Sequence, residues 1–109
     1  MIDRKIEDRL RALGLTGVYE GYFCLVHAVQ LSEEDPSRLT LPTKWLYPDI
    51  AQQCGISVSQ VDSALRCAIR KCCRSSAADV ARMCAADGEP TVVQFIEGLI
   101  ASLQEGRER

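Results

Sequence analysis

Apolar residues recur at helical spacing along almost the whole chain. Ile2, Ile6, Leu10 and Leu13 share one stripe and predict a first helix over residues 2–13, closed by Gly14. After a turn at residues 15–17, the segment 18–31 is apolar on most of its surface, through Tyr19, Tyr22, Phe23, Leu25, Val26, Ala28 and Val29. A helix apolar nearly all round is a buried one, so this segment is expected at the centre of the fold. Ser32-Glu-Glu-Asp-Pro-Ser37 is acidic and reads as a loop. Pro42 suits the first turn of a third helix reaching Leu46, and Pro48 begins a short one that leads to Cys54. Ser57 then caps a long helix to about Arg74, and a further helix spans residues 76–85. Asp87-Gly-Glu-Pro90 breaks the chain before a last helix capped by Thr91, with Val92, Phe95, Ile96, Leu99, Ile100 and Leu103 in register. No segment reads as a strand and no internal repeat is present. The expected fold is all-α, about six helices around one core, in a single domain over residues 1–109.

Within that pattern, residues 47–74 have the layout of a helix-turn-helix. Ile50 and Ala51 lie near the end of the first helix, where a small residue lets the second helix cross closely. Four residues on, Gly55 can take the positive backbone angle of a tight turn. Ile56 then plugs the corner, and Val58, Val61 and Leu65 supply the inner stripe of the second helix. Such a device lays its second helix along a DNA major groove.

A helix turns by about 100° per residue. On that rotation Val58, Val61, Leu65, Ala68, Ile69 and Cys72 gather on one side, and Ser59, Gln60, Ser63, Arg66, Cys67, Arg70 and Arg74 on the other. The outer set is short and polar at its start and basic towards its end. Gln suits adenine and Arg suits guanine, while Arg70, Lys71 and Arg74 are better placed for phosphates. A plain solvated face explains the same pattern. Cys67 is the odd member of it, a thiol expected at the surface, where it would meet a thymine methyl, a neighbouring helix or a partner chain.

Charge separates these readings only through its distribution. The chain of 109 residues has a net charge of −2. Residues 36–74 carry six Lys and Arg against two Asp and Glu, a net +4, whereas residues 1–35 and 75–109 are each at −3. Positive charge concentrated on the motif is what contact with phosphates requires. The length supports one modest core and no large enzyme cleft, and no apolar run approaches the roughly 20 residues of a membrane span. Met-Ile-Asp-Arg-Lys-Ile-Glu is charged and periodic, unlike a signal peptide, so a cytoplasmic location is expected. The six cysteines include no Cys-x-x-Cys pair, and His27 lies far from most of them in sequence, so reduced thiols packed as small hydrophobes are expected rather than zinc ligands.

Thr43-Lys-Trp-Leu-Tyr-Pro48, Ile50-Ala51, and then Val61, Ala64, Arg66, Ala68 and Ile69 resemble the C-terminal DNA-binding effector domain of the stage-zero sporulation protein A family. Gly21-Tyr22 with Ala28-Val29, and Glu89-Pro90-Thr91 with Phe95-Ile96, extend the resemblance to nearly the whole chain. It implies a six-helix domain of the response-regulator effector type, winged-helix-like but without strands, in a bacterial transcription regulator of sporulation. It also implies binding to double-stranded DNA as a homodimer. In that family a phosphorylatable receiver domain precedes the effector. Here the chain starts almost at the effector, so either a fragment or a stand-alone protein is expected. The departures bear on function. The family has arginines where this chain has Gln60 and Ser63, a histidine where it has Cys67, and paired lysines where it has Gln52 and Gln53. Arg66 and Lys44 persist. Weaker phosphate and guanine contacts and a different sequence preference follow.

The leading reading is therefore a DNA-binding regulator with Lys44, Ser59, Gln60, Ser63, Arg66, Cys67, Arg70 and Arg74 at the interface. A competing one is a protein-interaction module that keeps the fold without strong readout, pairing with a full-length regulator. A third places a thiol sensor at Cys67 with Cys72 or Cys73. No catalytic constellation or phosphate-binding glycine loop is present, His27 sits in an apolar helix, and no enzyme activity, cofactor or metal is expected.

Overall fold

The computed structural model describes residues 4–17, 21–85 and 88–107, with side chains described as far as Gln104. The chain forms α1 (Arg4–Ala12), α2 (Gly21–Glu34), a 3-10 turn (Pro36–Thr40), α3 (Pro42–Trp45), α4 (Tyr47–Cys54), α5 (Val58–Ser75), α6 (Ala77–Cys84) and α7 (Val92–Arg107). No strand occurs among the described residues. The all-α expectation holds, with α3 a single turn running into α4. Ile2, Val18 and Tyr19, expected on the first two helices, lie outside the described residues.

α2 occupies the centre and packs against α1, α4, α5 and α7. Its buried side chains point all round the helix, from Tyr22 and Cys24 through Leu25, Val26, Ala28 and Val29 to Leu31. Phe23 alone among its large apolar residues is exposed. The acidic segment does not begin a loop at Ser32. The helix continues to Glu34 because Leu31 and Ser32 are still buried against the core. Pro36 ends it, and the Asp35 carboxylate accepts from the Ser37 backbone N–H at 3.2 Å to start the 3-10 turn. Arg38 then fastens this turn to the motif, donating to the Trp45 carbonyl at 3.1 Å and pairing with Asp49.

The closest approach in the core is made by Gly21. A Cβ at that position would lie 2.2 Å from the Ala64 carbonyl oxygen and 2.7 Å from Ala68 Cβ. Only hydrogen fits, so the first turn of α2 rests directly on the backbone of α5. Gly98 plays the same part between α7 and α6, where a Cβ would lie 2.8 Å from the Met83 carbonyl oxygen. α7 is thus held by this one backbone contact and by the buried Phe95, Ile96 and Leu99.

Candidate nucleic-acid interface

The turn between α4 and α5 is built by backbone hydrogen bonds. Gly55 adopts φ 69° and ψ 34°, and its N–H bonds the Ala51 carbonyl. The Ile56 N–H reaches the same carbonyl at 3.1 Å. A side chain at position 55 would meet nothing within 4 Å, so glycine is required there for its backbone angle and not for space. Ile56 packs against the core, and Ala51 is buried.

α5 begins with a full capping box. Ser57 Oγ accepts from the Gln60 backbone N–H at 3.1 Å, and Gln60 Oε1 accepts from the Ser57 N–H at 2.8 Å. Val61, Ala64, Leu65, Ala68, Ile69 and Cys72 are buried along one side. Fully burying a side chain such as Val61, Leu65 or Ile69 contributes about 1.5–3 kcal/mol. Those three together rival the net stability of a small domain, about 5–15 kcal/mol. The rotation of α5 is therefore set by its buried side. Val58 departs from the expected stripe. It is the first residue of the helix and is 40% exposed, so the buried side begins one turn later, at Val61.

Ser59, Gln60, Ser63, Arg66, Cys67, Arg70 and Arg74 are all exposed. Lys44 is exposed as well, on α3, with its Nζ 4.9 Å from the Trp45 ring centroid. A groove of about 420 Å³ runs beside the exposed face, bounded by Ser59, Gln60, Ser63, Cys67 and Lys71 on α5 and by Gly21 of α2. The expected set is thus presented on one continuous face of α5, with Lys44 supplied by a separate helix.

Several members already have intramolecular partners. Gln60 is committed to the cap through its carbonyl oxygen, so reading adenine with both ends of the amide would strain the helix start. Ser59 Oγ lies 3.3 Å from Ser57 Oγ. Arg66 donates from Nε to the Asp62 carboxylate at 2.9 Å, and Arg70 donates from Nε to Glu89 at 3.3 Å. Both arginines remain more than half exposed, and such surface pairs are worth about 0.2–1 kcal/mol. The Arg66 bond uses Nε and neither terminal nitrogen. Among the described residues Arg74 has no ion-pair partner.

Asp62 links this face to α4. Burial first, and then the Asp62 carboxylate, push the Tyr47 phenol up to about 12, with the Arg66 charge acting the other way. Tyr47, Asp62 and Arg66 therefore form one electrostatic group across the two helices of the motif. Sequence reading missed the restraining roles of Asp62 and Glu89. The four-residue spacing of Asp62 and Arg66 was a usable signal for the first, while Glu89 is 19 residues from Arg70 and gave none.

The thiol reading finds less support at α5. Cys67 is exposed, whereas Cys72 is wholly buried on the other side, where burial pushes its thiol up to about 12. Among the described residues no group of three or more His, Cys, Asp or Glu is placed to hold a metal ion. Among the same residues no helix is long and apolar enough to cross a membrane.

A glycine-turned helix pair, a second helix whose polar face looks outward, and a central helix laid on its back lie between Gly21 and Ser75. A family model described as the C-terminal domain of sporulation initiation factor Spo0A matches residues 6–103, nearly the whole chain. The chain belongs to that family, the DNA-binding effector domain of a sporulation regulator.

Proposed function

We propose that this protein is a sequence-specific transcription regulator that places α5 in the major groove of double-stranded DNA, in the cytoplasm of a bacterium. Arg66 reads guanine through its two terminal nitrogens, with Ser63 and Cys67 against neighbouring base edges. Arg70, Lys71 and Arg74, further along α5, and Lys44 on α3 contact phosphates. Ser59 and Gln60 hold the helix start and touch DNA through whatever the cap leaves over. Pairing as a homodimer on adjacent half-sites is the arrangement that gives so small an interface useful affinity. The observation that carries this reading is the unbroken exposed face from Ser59 to Arg74 on a helix whose opposite side is buried.

The ion pairs do not oppose it in magnitude. A bidentate Arg–guanine contact is worth about 1–3 kcal/mol, more than a surface pairing such as that of Arg66 with Asp62, at about 0.2–1 kcal/mol. Titration of a labelled random duplex, followed by fluorescence anisotropy at low and moderate salt, is the test. Binding should weaken steeply with salt, as counterion release requires. Absence of binding at protein concentrations on the order of tens of micromolar, whatever the salt, would sink the proposal.

One observation favours a second reading. Two cations of the face, Arg66 and Arg70, are matched by carboxylates of the same chain. A face neutralised in this way suits a protein partner, such as a full-length regulator of the same family. Capture of such a partner by an Arg66→Ala, Arg70→Ala variant that no longer binds DNA would support that reading.

A further inference from the structure

The notable thiols of this molecule are on α2 and α4 and not on the outer face of α5. Cys24 and Cys54 are 30 residues apart in sequence, yet their sulfurs lie 3.8 Å from each other. Cys24 is buried and Cys54 is half-buried at the last position of α4. Both line a cavity of about 390 Å³ together with Phe23, His27, Gln53 and Ile56. Burial holds the His27 imidazole below its usual range, so a neutral base shares the cavity with the thiols.

We propose that Cys24 and Cys54 form a reversible disulfide, made by a small peroxide that enters this cavity. A disulfide needs its sulfurs at about 2.05 Å, so oxidation has to draw these two together from 3.8 Å. The Cys54 thiolate attacks one oxygen of hydrogen peroxide, the O–O bond breaks, and the departing hydroxide takes a proton to leave as water. Cys54 is then a sulfenic acid. The Cys24 thiolate attacks that sulfur and displaces hydroxide, which leaves as a second water. Two thiols have lost two electrons and two protons, and one peroxide has become two waters. A dithiol reductant reverses the step by exchange. Cytosolic disulfides of this kind are transient and serve as sensors.

The placement gives the bond a consequence. Cys54 immediately precedes Gly55, whose left-handed conformation directs α5. A covalent tie from that residue to the central helix fastens the turn to the core. It also closes a loop of roughly thirty residues and so restricts the unfolded chain.

Peptide mapping without reduction, after brief exposure of the native protein to hydrogen peroxide, tests the proposal. The expected result is a Cys24–Cys54 linked peptide, two hydrogens lighter than its parts, with free thiols falling from the six of the sequence to four. Tm should rise by on the order of 10 °C and return on adding dithiothreitol. Cys54→Ser should abolish both changes and Cys67→Ser should leave both intact. Mapping of the unsubstituted protein decides the question even if Cys54→Ser fails to fold. Preferential oxidation at Cys67, Cys73 or Cys84, a link formed only in denaturant, or a link without a rise in Tm would each overturn it.

Discussion

At Gly21 the start of α2 lies on the backbone of α5, and at Gly98 the middle of α7 lies on the end of α6. Both contacts use the same device, a glycine where any side chain would strike a carbonyl oxygen. Their outer surfaces differ. The exposed side of α6 offers Ala77, Ala78 and Ala81 with an Asp79–Arg82 pair at 3.0 Å. The exposed side of α5 offers serines, a free thiol and three arginines. The Gly98 contact closes the core. The Gly21 contact closes it and also bears on which residues α5 turns outward. Identical packing therefore has different functional weight, according to what the seated helix carries on its far side.

The largest effect expected from this comparison is at the glycines. Gly21→Ala should destabilise the fold by about 3 kcal/mol, the upper range for overpacking, because the nearest atom at 2.2 Å is backbone and cannot rotate away. Gly98→Ala should cost nearer 1 kcal/mol, since its nearest contact is at 2.8 Å. Denaturant melts measure both. Below its midpoint the Gly98 variant should bind DNA as the parent does, whereas the Gly21 variant should bind less even when folded. Equal binding by the two folded variants would remove the distinction between the seats.

Next in size is the readout itself. Arg66→Ala should lose about 1–3 kcal/mol of affinity for a selected site and relax the preference at one base pair. Its effect on stability should stay within about 0.5 kcal/mol, as for a surface ion pair. Asp62→Asn removes the restraint on Arg66 and should change base preference more than total affinity. A competition anisotropy series over single-base variants of the site would separate the two.

Alkaline pH should act first on the motif side. The Tyr47 phenol and Cys72 thiol, both pushed up to about 12 by burial, keep their protons in the folded state after the unfolded chain has lost them. Their contribution is present in full below the unfolded values of about 9 for Cys and 10 for Tyr, and is lost as pH rises through the folded values. Tm should be level to about pH 9 and fall above it, with a shallower fall in Tyr47→Phe. The smallest expected effect is electrostatic. Lys44→Ala and Arg74→Ala should each reduce the salt slope of binding by about 1 and weaken all duplex sequences alike.

Helix spacing, the caps at Ser57 and Thr91, and Gly55 were legible in the sequence because each depends on neighbours within four residues. Thr91 Oγ1 accepts from the Gln94 N–H at 3.1 Å, and Gln94 Oε1 accepts from the Thr91 N–H at 2.9 Å, as local a device as the first box. Val58 was misplaced because periodicity assigns a side of the helix and not the point where packing begins. Ser32, Glu33 and Glu34 were misread as the start of a loop because composition does not report that Ser32 is still against the core. Glu89 on Arg70 and Cys24 beside Cys54 were invisible, since both join residues far apart in the chain.

What the order of residues determined was the set of helices, the glycine turn and the polar character of one side of α5, all consequences of short-range sterics and hydrogen bonding. Only the tertiary structure decided that Gly21 lies on Ala64, that Glu89 holds Arg70, and that Cys24 comes to lie beside Cys54. Those outcomes depend on which surfaces exclude water together, and burial is a property of the packed molecule rather than of any segment in it.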